Sequence, residues 1–324
     1  MERPKQNSCG MTRREFAQLA TATAMGLAGS GATSAETPKT KMFKNLNSGM
    51  IGISANQSKE IGYAAQFGFQ GVNVHLDELE TLSETQRNSL REEMKSKGIC
   101  FGSSGLPVEF RKGEEDFKKG ISALSGKAKV LKQMGVSRVS TWVLSGSNEL
   151  TYLQYFNQLQ KRLGEAARIL KGEGVRLGLE FLGPRTILNM FRYPFAHTQK
   201  EMLELCDAIG TGNVGLLLDA WHWHTSHGTL AELNQLTNDQ IVDVHVNDAP
   251  KGVPIDELVD NRRALPGATG VIDLKGFMLA LVKIGYDGPV TIEPFDQELA
   301  ALETETKLKK TADAMNRLFA LIQS

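Results

Sequence analysis

Cysteine is scarce: three in 324 residues, with Cys9 near the N-terminus and only Cys100 and Cys206 further on. Two cysteines cannot staple a fold, so buried free thiols are the expectation, and there are too few sulfurs for a thiolate metal centre. Net charge is missing too, because 37 basic side chains balance 37 acidic ones. Nothing in that balance draws the chain to nucleic acid or to an anionic membrane. No apolar run is long enough to anchor the protein in a bilayer. No Ser/Gly/Pro-rich linker divides the chain, and no segment has low complexity. A glycine-rich phosphate loop is also absent after the first strand-like run, residues 49–54, which continues into Ala55-Asn56-Gln57. That argues against an open, doubly wound nucleotide-binding sheet.

The first 35 residues read as a signal peptide. Arg13 and Arg14 form a twin arginine ahead of a weakly apolar, Ala/Gly/Thr-rich run, and Thr33-Ser34-Ala35 offers a cleavage point. This pattern implies export to the periplasm by the twin-arginine route. A protein that folds before export can take up a metal in the cytoplasm, which gives the route a physical rationale. Residues 36–48 read as a linker and 49–324 as one domain. The leader holds four basic side chains (Arg3, Lys5, Arg13, Arg14) and two acidic ones (Glu2, Glu15), leaving 33 against 35, or −2, for the rest.

In that domain a unit recurs: a short apolar run, a loop, then an amphipathic helix. Strands are expected at 49–54, 71–76, 99–104, 138–144, 176–182, 214–219, 242–247 and 289–293. Helices are expected at 59–67, 84–97, 115–134, 152–171, 198–209, 230–236, 274–284 and 304–321. Several end in a glycine cap just before the next strand, as at Phe67-Gly68 and Ile284-Gly285. Eight alternations predict a single-domain (β/α)8 TIM barrel.

Four apolar runs each end in one metal-loving side chain: Glu180, Asp219, His245 and Glu293, closing expected strands five to eight. A charge at the tip of a buried strand is costly unless it is paired or coordinated. All strands of such a barrel point their carboxyl ends at one face, so four neighbours can converge on one ion. Carboxylates with one imidazole suit a single divalent cation, Mn²⁺ first and Co²⁺, Mg²⁺ or Zn²⁺ as alternatives.

The order Leu-Glu-Phe, Leu-Asp-x-x-His, Val-His-x-Asn-Asp and Ile-Glu-Pro resembles the xylose-isomerase-like barrels of the sugar isomerase/epimerase superfamily, over nearly the whole domain. The resemblance implies that Glu180, Asp219, His245 and Glu293 are the metal ligands. It implies that Glu180 and Glu293 move protons on opposite faces of a sugar. It also makes His222 a substrate-binding histidine, with Arg263, ahead of a Pro-Gly loop, and Lys251 as further substrate contacts. His75 and Glu109, at or after the ends of strands two and three, are candidates for the same cup, and Trp142 for stacking on a sugar ring. The run Arg111-Lys112-Gly113-Glu114-Glu115-Asp116 reads as a solvated loop and helix start.

The leading expectation is a metal-dependent isomerase or epimerase working through an enediolate. Export favours a non-phosphorylated carbohydrate, although Gly267 and Gly270 could offer backbone amides to a phosphate. A lyase or dehydratase on a keto-sugar, inosose or 3-keto-glycoside would use the same site, because the leaving group belongs to the substrate. A non-catalytic carbohydrate-binding barrel is a third reading, which intact ligands disfavour. An endonuclease IV-like enzyme would need more early-strand histidines and a basic surface. Barrels of this family often pair, so a homo-oligomer is possible.

Overall fold

Eight parallel strand positions close a barrel in the computed structural model, which describes residues 40–323. The strands are β1 (Phe43–Leu46), β2 (Gly71–Val72), β3 (in two pieces, Cys100–Phe101 and Ser104–Gly105), β4 (Arg138–Val143), β5 (Arg176–Phe181), β6 (Val214–Asp219), β7 (Ile241–Val246) and β8 (Pro289–Ile292). Each pairs in parallel with its neighbours, and β8 closes on β1 with Phe43 opposite Pro289. The break in β3 does not open the wall. Gly102 N–H donates to the Val72 carbonyl, and Leu106 N–H to that of Ser140. The signal peptide expected over 1–35 lies outside the described residues. Among those described, no helix is long and apolar enough to cross a membrane.

One strand lies elsewhere than expected. Residues 49–54 form no strand: Ser48–Ile51 is a 3-10 turn closed by Gly52 at φ 68°. The first strand is Phe43–Leu46, inside the stretch expected as a linker. Its pattern is masked because Asn45, which faces the barrel interior, is polar. Asn45 is 1% exposed and donates its side-chain amide to Thr291 Oγ1 at 3.0 Å. Lys44 points outward and reaches Asn316 Oδ1 at 2.8 Å. The thiols also split: Cys206 is buried, as expected, but Cys100 is exposed.

The helices fall where their periodicity places them, within about two residues at most ends. Tyr152–Gly172 shows the logic. Ala166, Ala167, Leu159, Leu163 and Leu170 are each at most 1% exposed, and burying each leucine stabilises by about 1.5–3 kcal/mol. Gly68 (φ 73°) and Gly285 (φ 75°) end their helices left-handed, turning the chain toward the next strand. Short helices absent from the sequence reading, including Ala220–Thr225 and Arg185–Leu188, follow β6 and β5 and build the rim.

Candidate active site

Strands β5 to β8 deliver the four side chains to one place. In β5, Leu177, Leu179 and Phe181 are fully buried, and that packing fixes Glu180 between them at 6% exposure. The register sets Asp219 beside His245, and His245 beside Thr291, two residues before Glu293. One ligand atom from each of Glu180, Asp219, His245 and Glu293 lies within 4.8 Å of the others. His245 Nδ1 sits 3.7 Å from Glu180 Oε1 and 3.4 Å from Glu293 Oε2.

Around this cluster, neighbouring groups hold two of the carboxylates. Asp219 Oδ1 accepts from Trp221 N–H (2.8 Å) and Asn247 Nδ2 (2.9 Å). Arg263 Nη1 donates to Asp219 Oδ2 (2.7 Å) and Glu293 Oε2 (2.9 Å), and Nη2 to Asp260 Oδ1 (2.8 Å). The guanidinium is buried between the rings of Trp221 (5.1 Å) and Phe295 (4.7 Å). Phe295 takes the left-handed φ of 38°, rare for an aromatic residue.

Two atoms have no such support. Glu180 Oε1 and His245 Nδ1 are buried with no hydrogen-bond partner, yet they face each other. Buried polar atoms are normally satisfied, and orphans of this kind mark a missing group. The protonation of the site says the same. Burial, reinforced by the charge of Glu293, pushes Glu180 well above the usual carboxylate range. Burial alone would lower the pKa of His245, but the carboxylate of Glu293 outweighs it and raises it to about 10. Desolvation would raise the pKa of Asp219, but Arg263 and His222 hold it far down. The cluster therefore draws in positive charge. Three carboxylates and an imidazole with inward-facing orphan atoms fit a divalent cation.

His222 joins the cluster. It is 1% exposed, and its Nδ1 accepts from Gly183 N–H at 3.1 Å. The neutral tautomer with its proton on Nε2 satisfies that bond; Nε2 stands 3.4 Å from Arg263 Nη2, 3.9 Å from Glu180 Oε1 and 4.0 Å from Asp219 Oδ2. Burial lowers its pKa, favouring that neutral form. A side chain at Gly183 would meet the His222 carbonyl at 2.3 Å, so only glycine permits the approach.

The other expected residues are spread around the rim. Both ring nitrogens of His75 are taken, Nε2 by Glu60 (2.6 Å) and Nδ1 by Glu78 (3.1 Å), and it lines a separate cavity of about 590 Å³ over β1 to β3. Lys251 is exposed in a turn, and no hydrogen bond or ion pair joins it to the cluster among the described residues. Glu109 accepts from Arg111 N–H at 2.9 Å. Trp142, on β4, is paired with Glu180 and 44% exposed.

Three residues at the site were not singled out by the sequence reading. Arg111 does not belong to a solvated loop: its guanidinium lies 3.6 Å from the centre of the Trp142 ring, with its side chain 14% exposed. Asp260 buttresses Arg263 from the same loop. Asp248, fully buried, accepts backbone N–H groups from Ala249, Thr269, Gly270, Val271 and Ile272, tying down both ends of the loop that carries Arg263. Only Asp248 carried a signal, its place in the Asn-Asp pair after His245.

This geometry has known relatives. A family model described as xylose isomerase-like TIM barrel matches residues 61–318. The chain belongs to that family. It is 25% identical over 264 residues to an inosose isomerase of Halalkalibacterium halodurans, covering 80% of this chain and 90% of that protein. It is 24% identical to a 3-dehydroshikimate dehydratase of Pseudomonas aeruginosa, over 78% of this chain but 38% of that protein. Among solved structures, the IOLI protein with a bound zinc atom superposes with a TM-score of 0.71, at 22% identity, over 86% of this chain and 98% of that one.

Proposed function

We propose that this protein is a metal-dependent isomerase or epimerase acting on a non-phosphorylated sugar or sugar derivative, with Glu180 and Glu293 as its acid/base pair. The observation that carries this is the pair's position, with both carboxylates within 4 Å of one imidazole nitrogen in a buried cluster. Glu180, Asp219, His245 and Glu293 would hold the cation, with Mn²⁺ the first choice. A bound divalent cation supplies Lewis-acid stabilisation of negative charge on a substrate oxygen.

The protein groups then divide the proton work. One glutamate takes the proton from carbon next to the carbonyl, and the C–H electron pair moves into an enediolate. The other returns a proton to the opposite face for epimerisation, or to the neighbouring carbon for isomerisation. Burial makes Glu180 readier than an ordinary carboxylate to hold that proton. We assign His222 Nε2–H to donate to a substrate oxygen, whereas the Arg263 guanidinium, already bonded to Asp219, Glu293 and Asp260, orients the carboxylates rather than contacting the substrate.

Asp248 argues against a phosphate. Of the Gly267 and Gly270 amides that could have cradled one, that of Gly270 is already bonded to its carboxylate at 2.8 Å. We also propose export by the twin-arginine route, supported by Arg13 and Arg14. Similarity to a dehydratase favours one second reading, in which the enediolate expels a neighbouring leaving group.

The test is deuterium uptake from D₂O by ketoses, inososes and 3-keto-glycosides with Mn²⁺-loaded protein, read by NMR. Exchange next to the carbonyl that drops about 10³-fold in Glu293→Gln is the expected result, and the product separates epimerase from lyase. A metal-loaded protein that exchanges nothing across the panel would refute the proposal.

A further inference from the structure

Where strand β3 runs out, an arginine takes over its edge. The Ser140 carbonyl on β4 accepts from Leu106 N–H, at the end of β3. Two residues on, the Trp142 carbonyl points the same way. It accepts from Arg111 Nη2, which also donates to Thr141 Oγ1, both at 2.5 Å. The guanidinium stacks 3.6 Å from the centre of the Trp142 ring and 4.3 Å from that of Phe110. A second arginine holds the first in place. Arg162, itself buried, donates to the Phe110 and Lys112 carbonyls at 2.8 and 2.7 Å, on either side of Arg111.

Trp142 belongs to the mouth of the metal site. It stands in register with Glu180 on the neighbouring strand, so the two side chains leave the sheet on the same face. That face is the barrel interior. Ser140, two residues earlier on β4, and Ser103 on β3 both bond Asp243 Oδ2 of β7 across the barrel. The indole is nevertheless 44% exposed, because it projects at the open end. Holding a half-exposed ring in one rotamer costs entropy, which a substrate packing on it would otherwise lose on binding. Arg111 removes that loss by fixing the ring in advance.

We infer that Arg111 is a positioning residue for substrate binding, which presets Trp142 as the wall beside Glu180 on which the substrate packs. This rests on the reading that the cluster enolises a sugar. The device needs the plane of the guanidinium rather than its charge, because the stack and the bonds from Nη2 both use the planar fork. Lysine, a point charge, reproduces neither. Such a wall binds ground state and transition state alike, so it acts on KM rather than kcat.

The experiment follows deuterium uptake from D₂O by a ketose, an inosose and a methyl 3-keto-glycoside, using metal-loaded protein. Arg111→Met and Arg111→Lys are each expected to raise KM about fivefold, with the effect on KM rather than kcat. Trp142→Ala raises KM about tenfold, and in that background Arg111→Met adds nothing further. Acrylamide quenching of fluorescence gives a readout independent of turnover, since Trp221 and Trp223 are buried and the accessible tryptophan is Trp142. Quenching is expected to rise in both Arg111 variants. Unchanged quenching, full recovery of KM by Arg111→Lys, or an equal rise in KM with and without Trp142 would each overturn the role. If wild type exchanges deuterium and Arg111→Met leaves KM unmoved, the enolising site stands and the positioning role falls. If wild type exchanges nothing with any of the three, both fall.

Discussion

The two halves of the barrel rim are built on different principles. Strands β5 to β7 are six residues long and almost wholly buried, and each carries a ligand as its last or last-but-one residue. Strands β1 to β3 are two to four residues long, mix apolar residues with Asn45, Ser104 and glycines, and border an open cavity. In the first half, buried charge is held by apolar strand and by Arg263. In the second, the buried carboxylate Glu60 is met by His75 and by Ser48 N–H, an arrangement complete within itself. The lesson is that a buried ionisable group signals function when its partners leave it unsatisfied, not when it is merely buried.

Arg263 gives the largest test of that contrast. Arg263→Met takes from Asp219 and Glu293 the guanidinium they share and leaves His245 as the counter-charge in the cluster. Metal-free protein should lose about 3–5 kcal/mol, seen as a lower Tm, and saturating divalent cation should recover most of it. A metal-free Tm that did not move would mean the guanidinium is not compensating the cluster.

Asp248 tests whether the active half depends on its loop. Asp248→Ala strips an acceptor from five backbone N–H groups. Turnover should fall about 10²-fold through misplacement of Arg263, with faster proteolysis between residues 249 and 272. Asp248→Asn, which keeps one acceptor oxygen, should fall between. Equal activity in all three proteins would remove the positioning role.

The outer shell should matter least. Burial alone would raise the pKa of Glu201, but hydrogen bonds from His197 and Thr198 outweigh it and hold it at about 2. A depressed carboxylate contributes stability above its ordinary value near 4.5, and that contribution is lost as pH falls toward 2. Glu201→Gln should therefore lower Tm by about 2 °C at pH 7 and by nothing near pH 2, with metal binding unchanged. A weaker metal site in this variant would blur the division between shell and site.

The same contrast explains what could be read from the residues alone. The ligand half was legible because long apolar runs ending in Glu180, Asp219, His245 and Glu293 are improbable unless the ends converge. Phe43–Leu46 was not, since Asn45 breaks the apolar pattern by facing the interior, while Ile51 and Ile53 imitate a strand from a buried turn. Arg111 was hidden in a charged run; its burial comes from Phe110 and Trp142, which only the fold brings to it. Asp260 and the cradle around Asp248 depend on loop conformation, which carries no periodicity. Lys251 and His75 look alike in sequence as rim cations, but one is exposed and the other is held by two carboxylates.

The most direct test is calorimetric titration of metal-stripped protein with Mn²⁺, comparing wild type, Asp219→Ala and His75→Ala. One equivalent bound per chain by wild type and His75→Ala, with binding lost in Asp219→Ala, is the predicted result. Undiminished binding in Asp219→Ala, or its loss in His75→Ala, would contradict the assignment of the metal to the β5 to β8 half.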